Sequence, residues 1–265
     1  MAGRVEFSTS GAIGVIRLVN PPLNPLTNAM RSTLHQVALA VSDRSDIRAV
    51  VLTSHGEQSL SVGSDIKSFP ATAEAGREVS EAEHAAYDAL ASIPQPTVAA
   101  LRGHTLGGGL ELALTADIRV AEESTVLGLP EVKIGVFASG GGTQRLPRLI
   151  GAARANHLLL LGDSIDARTA EQWGLVTVVV PERAAETEAI RIAKQLAGLP
   201  QLALRATKHC VSTGLLHGRT AGRRAEITSI AAVYDSADAR EGAAAFIAKR
   251  APTFTHQLDM EGPIR

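Results

Sequence analysis

Two glutamates and two glycine-bearing turns are the residues of this chain whose types and spacing could do chemistry. The first turn lies in residues 96–118. A β-branched lead (Thr97, Val98) runs to Arg102-Gly103-His104-Thr105-Leu106, three glycines follow at 107–109, and then the helical stretch Leu110-Glu111-Leu112-Ala113-Leu114. Strand, glycine turn and helix in that order leave the first helical N–H groups without an intrahelical acceptor, and glycine lets another group approach them closely. Negative charge is favoured there. Glu111 follows Gly108 by three residues, about one turn along the same helix face. Its neighbours are apolar, and a charge among them is expensive unless it has a partner or a task.

The second acid, Glu131, follows Leu127-Gly128-Leu129-Pro130 in a segment without helical period. Taken singly, each glutamate reads as a solvated surface carboxylate. Converging on one site, the two would repel, one pKa would rise, and acid and base roles would separate. Gly63-Ser64-Asp65 has two readings. Ser64 or Asp65 caps a helix starting at Ile66, or the turn supplies a second N–H that completes an oxyanion hole with Gly108.

Other chemistries find less support. The glycine clusters at 107–109 and 140–142 invite a dinucleotide reading, but neither is G-x-G-x-x-G and neither is followed by the Lys-Ser/Thr of a phosphate-binding loop. Ser139, in Phe137-Ala138-Ser139-Gly140-Gly141, lacks the leading glycine of a nucleophile elbow, which disfavours acyl-enzyme hydrolysis. The eight histidines form no H-x₃-H pattern with nearby carboxylates, so no metal is assigned, and His104 reads as packed or solvent-facing.

The elements that must position these residues alternate strand and helix. Residues 4–8 and 13–19 around Gly11 read as a β-hairpin, and Asn20-Pro21-Pro22 breaks the chain. Thr27 is placed to cap a helix through about residue 40. Residues 47–53 form a buried strand, 74–92 an amphipathic helix stopped by Pro94 and Pro96, and 117–121 another strand. Residues 127–136 read as irregular. A helix with Arg145 and Arg148 ends near Gly151, the last strand spans 177–180, and residues 182–249 are nearly all helical in pattern. Strands and helices in series favour parallel pairing.

The bulk numbers are those of an ordinary globular enzyme: 265 residues, 45% hydrophobic, 20% charged. A net charge of −1 gives no reason to expect a nucleic-acid or membrane partner. The single cysteine, Cys210, excludes an intramolecular disulfide and suits a reducing compartment. The first residues lack the apolar core of a signal peptide, and no run approaches the roughly 20 residues of a membrane helix. The expected location is cytoplasmic.

Taken together, three blocks resemble the crotonase family, also called the enoyl-CoA hydratase/isomerase superfamily. They are Leu60-Ser61-Val62-Gly63-Ser64-Asp65-Ile66-Lys67, Arg102 through Ala113, and Leu129-Pro130-Glu131 through Gly141-Gly142-Thr143-Gln144-Arg145-Leu146. Asn20-Pro21-Pro22-Leu23-Asn24 and the C-terminal stretch from Glu241-Gly242 to Phe254 match as well, so the likeness spans nearly the whole chain in family order. It implies an α/β crotonase (ClpP/crotonase-like) fold. Repeated ββα units would give two nearly perpendicular sheets in a catalytic core of residues 1–195, followed by a helical oligomerisation region, residues 196–265. Self-association as a homotrimer or a stacked hexamer is implied too.

The resemblance further implies an acyl-CoA thioester as substrate and no cofactor beyond the coenzyme A that the substrate carries. The N–H groups of Ser64 and Gly108 match the oxyanion hole, and serine in place of the usual alanine leaves the N–H intact. Glu111 and Glu131 match the two glutamates of hydratases, while Ser64, Asp65, Ile66, Lys67, Gly108 and Ser139 match substrate-binding positions. Enoyl-CoA hydration is therefore expected, with double-bond isomerisation or a specialised acyl-CoA dehydration as neighbours. A non-catalytic or RNA-binding crotonase homologue is the alternative of a different class, disfavoured by the retained glutamates and the lack of a basic run. The chain departs from the family pattern at Pro25, at Leu60 where an aromatic is usual, and in residues 136–140, where Phe137 and Ser139 can reshape the acyl pocket. A weaker correspondence has Lys67, Lys249 and Arg250 meeting the CoA phosphates.

Overall fold

The computed structural model describes residues 3–256 and residue 258. In chain order the strands are β1 (Arg4–Ser10), β2 (Ile13–Val19), β3 (Ala49–Ser54), β4 (Ser59–Ser61), β5 (Thr97–Leu101), β6 (His104–Leu106), β7 (Ile118–Glu122), β8 (Val126–Gly128), β9 (Ser164–Asp166) and β10 (Val178–Val180). The helices are α1 (Asn28–Ser42), α2 (Ala73–Ala91), α3 (Gly108–Ala113), α4 (Gly142–Ile150), α5 (Ala152–Leu161), α6 (Ala167–Trp173), α7 (Ala185–Ala197), α8 (Gln201–His217), α9 (Arg219–Tyr234) and α10 (Ala237–Ile247). Single 3₁₀ turns occupy Ile66–Ser68 and Pro130–Ile134.

The strands build two sheets, one of six in the order β1-β2-β3-β5-β7-β10 and one of four in the order β4-β6-β8-β9. After the antiparallel β1–β2 hairpin, every pairing of the large sheet is parallel. Its inner strands are buried on both faces, as parallel strands covered by helices must be. On one face, Ile16, Leu18, Val50, Leu52, Ala99 and Leu101 join a core with α1 and α2. On the other, Val51, Val98, Ala100 and Val120 meet Ala185, Ala189, Ala193 and Ala197 of α7. An alanine every fourth residue gives α7 a smooth stripe, which lets the helix lie close against the sheet.

After three strands of the large sheet the chain first makes a short strand in the small one. Thus β3 is followed by β4 and α2, β5 by β6 and α3, and β7 by β8 and the turn at Pro130–Ile134. This is the repeated ββα plan. Strands β4, β6 and β8 are parallel, with Ser61 opposite Thr105 and Leu106 opposite Gly128. The residues just past their C-terminal ends therefore emerge at one edge. These are Gly63-Ser64, Gly107-Gly108 and Pro130-Glu131.

The hairpin, the Thr27 cap and the parallel pairing agree with the sequence reading, and Thr27 Oγ1 accepts the Met30 N–H at 3.2 Å. The segment 127–136 does not. It is not irregular but a three-residue strand and a 3₁₀ turn, stabilised from outside: Leu127 pairs with both Thr105 and Ile165. Residues 182–249 hold four helices, α7 to α10. Among the described residues, no helix is long and apolar enough to cross a membrane.

Candidate active site

The edge where β4, β6 and β8 end opens into a cavity of about 460 Å³. Gly63 holds φ at +89°, and a side-chain carbon there would lie 2.8 Å from the Gly108 nitrogen. Only glycine allows this turn to press against the start of α3. The Ser64 and Gly108 backbones are thus brought side by side. Among the described residues, neither N–H donates to a protein acceptor. Asp65 takes the capping role that the sequence left open, its Oδ1 accepting from the Lys67 N–H at 3.1 Å.

Glu111 sits on the first turn of α3 and is 2% exposed. Its Oε1 accepts the Gly142 N–H at 2.7 Å, at the beginning of α4, where helical N–H groups are unpaired. That bond favours the charged form, yet burial outweighs it and pushes Glu111 up to about 8, with help from the nearby Glu83 and Glu131 charges. Glu131 stands on the 3₁₀ turn after β8, one oxygen (Oε2) buried without a partner. Burial also drives its shift, to about 7, with Glu83 adding to it. Both carboxyls line the same cavity. They form a pair able to hold one proton between them near neutral pH.

Of the other residues singled out in the sequence, Asp65, Ile66 and Ser139 line the cavity and Lys67 does not. The Ser139 carbonyl accepts from Ser80 Oγ at 3.1 Å, which ties its loop to α2. Arg250 is engaged by Glu241, at 2.6 and 2.8 Å. His104 is exposed. Ile66, Phe69, Val136 and Phe137 form an exposed apolar rim, with Phe137 63% accessible.

Three residues at the site were absent from the sequence reading. Arg31 of α1 and Glu83 of α2 form a buried ion pair at 2.7 Å, and both line the cavity. Tyr87, one turn after Glu83, donates to the Gly108 carbonyl at 3.0 Å, and burial raises its own pKa well above 10. A signal was present: Glu83 shares the buried face of α2 with Ala86, Tyr87 and Leu90, and Arg31 shares that of α1 with Met30, Leu34 and Ala38. A charge on a buried helical face asks for a partner. Among the described residues, no cluster of His, Cys, Asp and Glu is arranged to hold a metal ion.

Two sheets linked by ββα units, with the cavity at the strand ends of the smaller one, define a crotonase-type α/β protein. The family model described as enoyl-CoA hydratase/isomerase matches residues 8–257. A probable enoyl-CoA hydratase of Mycobacterium bovis is 36% identical over 246 residues, covering 92% of this chain and 95% of its own. The crystal structure of an enoyl-CoA hydratase from Bacillus anthracis superposes with a TM-score of 0.89 at 33% identity, covering 96% and 100% of the two chains. Pseudomonas aeruginosa DspI gives 0.91 at 30% identity, covering 95% and 96%. The chain belongs to the enoyl-CoA hydratase/isomerase family.

Proposed function

We propose that the protein is an enoyl-CoA hydratase that adds water reversibly across the C2=C3 bond of a trans-2-enoyl-CoA. One observation carries the reading: two carboxyls with pKa values near 7 and 8 share a cavity with the adjacent, unengaged N–H groups of Ser64 and Gly108. The thioester oxygen lies on those two N–H groups, which stabilise the enolate that forms when C3 is attacked. Glu131, the more readily ionised, takes a proton from water as the water oxygen bonds to C3. Protonated Glu111 gives its proton to C2, and exchange between the two carboxyls restores the starting state. The apolar rim at Ile66, Phe69, Val136 and Phe137 covers the acyl chain, with Asp65 and Ser139 contacting the rest of the substrate. Coenzyme A enters as part of that substrate, and no separate cofactor takes part.

Exposed apolar residues on the C-terminal helices, among them Leu216, Ile230, Tyr234, Phe246 and Ile247, support self-association as a homotrimer or hexamer. Light scattering on the purified protein would test this. The catalytic reading is tested by following loss of enoyl-thioester absorbance with a panel of enoyl-CoA esters and no added cofactor. Hydration of at least one ester is expected. Double-bond migration without water addition would assign the isomerase activity instead, and no turnover of any ester would overturn the reading.

A further inference from the structure

The Arg31–Glu83 pair lies within the site rather than beside it. One guanidinium nitrogen, Nη2, reaches both Glu83 Oε1 at 2.7 Å and Ser64 Oγ at 2.6 Å, and Ser64 Oγ donates to the same carboxylate oxygen at 3.0 Å. Nη1 is held by Asn28 Oδ1 at 2.9 Å. Both side chains are nearly inaccessible, at 3% and 5%. A side-chain carbon on Gly108 would stand 3.7 Å from Glu83 Oε1, which locates this third carboxylate next to the N–H that faces the substrate.

A clamp between α1 and α2 would need neither a charge pair nor a serine from the turn. A buried ion pair gains little over apolar packing, so stability alone is a weak reason to keep one here. Resting on the hydratase reading, we infer that Arg31 and Glu83 are positioning residues. Their pair fixes the Ser64 turn and sets a balanced charge beside Gly108, against which Glu111 and Glu131 work.

Glu83 is met by Arg31 from α1, by Tyr87 on its own helix, by Glu111 from α3 and by Glu131 from the 3₁₀ turn, with Asp65 and Lys133 also on the cavity wall. The charge of Glu83 raises both Glu111 and Glu131. Neutralising either partner therefore disturbs that pair in opposite directions. Removing the anion lowers its titration; removing the cation leaves the Glu83 charge unneutralised beside the pair and raises it.

The test compares wild type, Glu83→Gln, Arg31→Gln and the double variant by the acid limb of kcat/KM against pH. A parallel ¹³C NMR titration of glutamate carboxyls is assigned with Glu111→Gln and Glu131→Gln. Glu83→Gln should move the limb and the titrations down by roughly half a pH unit or more, Arg31→Gln should move them up, and the double variant should lie between. A single variant that does not fold leaves the double variant and the other single to decide. Limbs and titrations that stay at the wild-type pH, or move the same way in both single variants, would overturn the inference and leave a structural clamp. Should no enoyl-CoA be turned over, the hydratase reading fails, while the NMR titrations still decide the role of the pair.

Discussion

Glu186 and Glu111 are the same side chain in opposite surroundings. At the start of α7, Glu186 receives Arg17 through two bonds, at 2.5 and 3.0 Å, plus Arg102 and Thr53 at 3.1 Å each. Its pKa falls, first because of the Arg17 hydrogen bonds. Glu111 is more deeply buried and is met by backbone N–H groups, Gly142 foremost, with no hydrogen bond from a cation among the described residues, and its pKa rises to about 8. The first arrangement ends titration near neutral pH and ties β2, β3 and the residue after β5 to α7. The second keeps a proton in play. Burial without a counter-charge is what a transferable proton requires, and Glu111 has that setting while Glu186 does not.

The largest effect expected from breaking this contrast is on turnover. Glu111→Gln and Glu131→Gln should each lower kcat/KM for the best enoyl-CoA by about 10²–10⁴-fold, because each removes a positioned proton carrier. Glu186→Gln should leave kcat/KM within about twofold, since neither Glu186 nor its arginines line the cavity. Steady-state kinetics on the three variants decides it. Near-native rates in both site variants would show that the two carboxyls do not carry the reaction.

Next in size is the close approach that brings the donors together. Gly63→Ala must hold φ near +89° and place its methyl 2.8 Å from the Gly108 nitrogen. Strain and overpacking together should cost about 2–4 kcal/mol, read as a lower unfolding midpoint in urea. Gly107→Ala combines φ of +54° with a contact 2.9 Å from Glu131 Oε1. It should lose activity more than stability, because the atom that must move is the tip of Glu131, the carboxyl proposed as the base.

Some of this was legible in the sequence, for reasons that can be named. Glu111 stands out because it interrupts Leu-x-Leu-Ala-Leu, where the local cost of a charge is visible without any partner. The β1–β2 hairpin is readable because its partners lie within a few residues. The small sheet is a different case: β4, β6 and β8 have three residues each, and the Ser59–His104 pairing joins positions 45 apart, so nothing local marks them. Arg31 and Glu83 escape for a related reason. They meet across 52 positions: Arg31 is a lone charge on α1 with no local partner to mark it, and among the charges of α2 only burial separates Glu83 from its solvated neighbours.

The subtlest prediction turns the same comparison into a slope. Glu111 has a folded pKa near 8 against an ordinary value of 4.5, so between those pH values the folded chain holds a proton that the unfolded chain has released. Its contribution is fully present below about pH 4.5 and is lost as pH rises through 8. Glu186 is lowered instead, so its contribution is present above the ordinary carboxylate pKa and is lost as pH falls through the folded value. Urea unfolding of Glu111→Gln should therefore show a gain relative to wild type that grows from pH 5 to pH 8, reaching on the order of 1–3 kcal/mol. Glu186→Gln should show a loss of about 1 kcal/mol near neutral pH that shrinks as the medium becomes acidic. Parallel curves for the two variants would mean that Glu111 is compensated in solution by a charge near it, and the contrast between a tied carboxylate and a free one would fail.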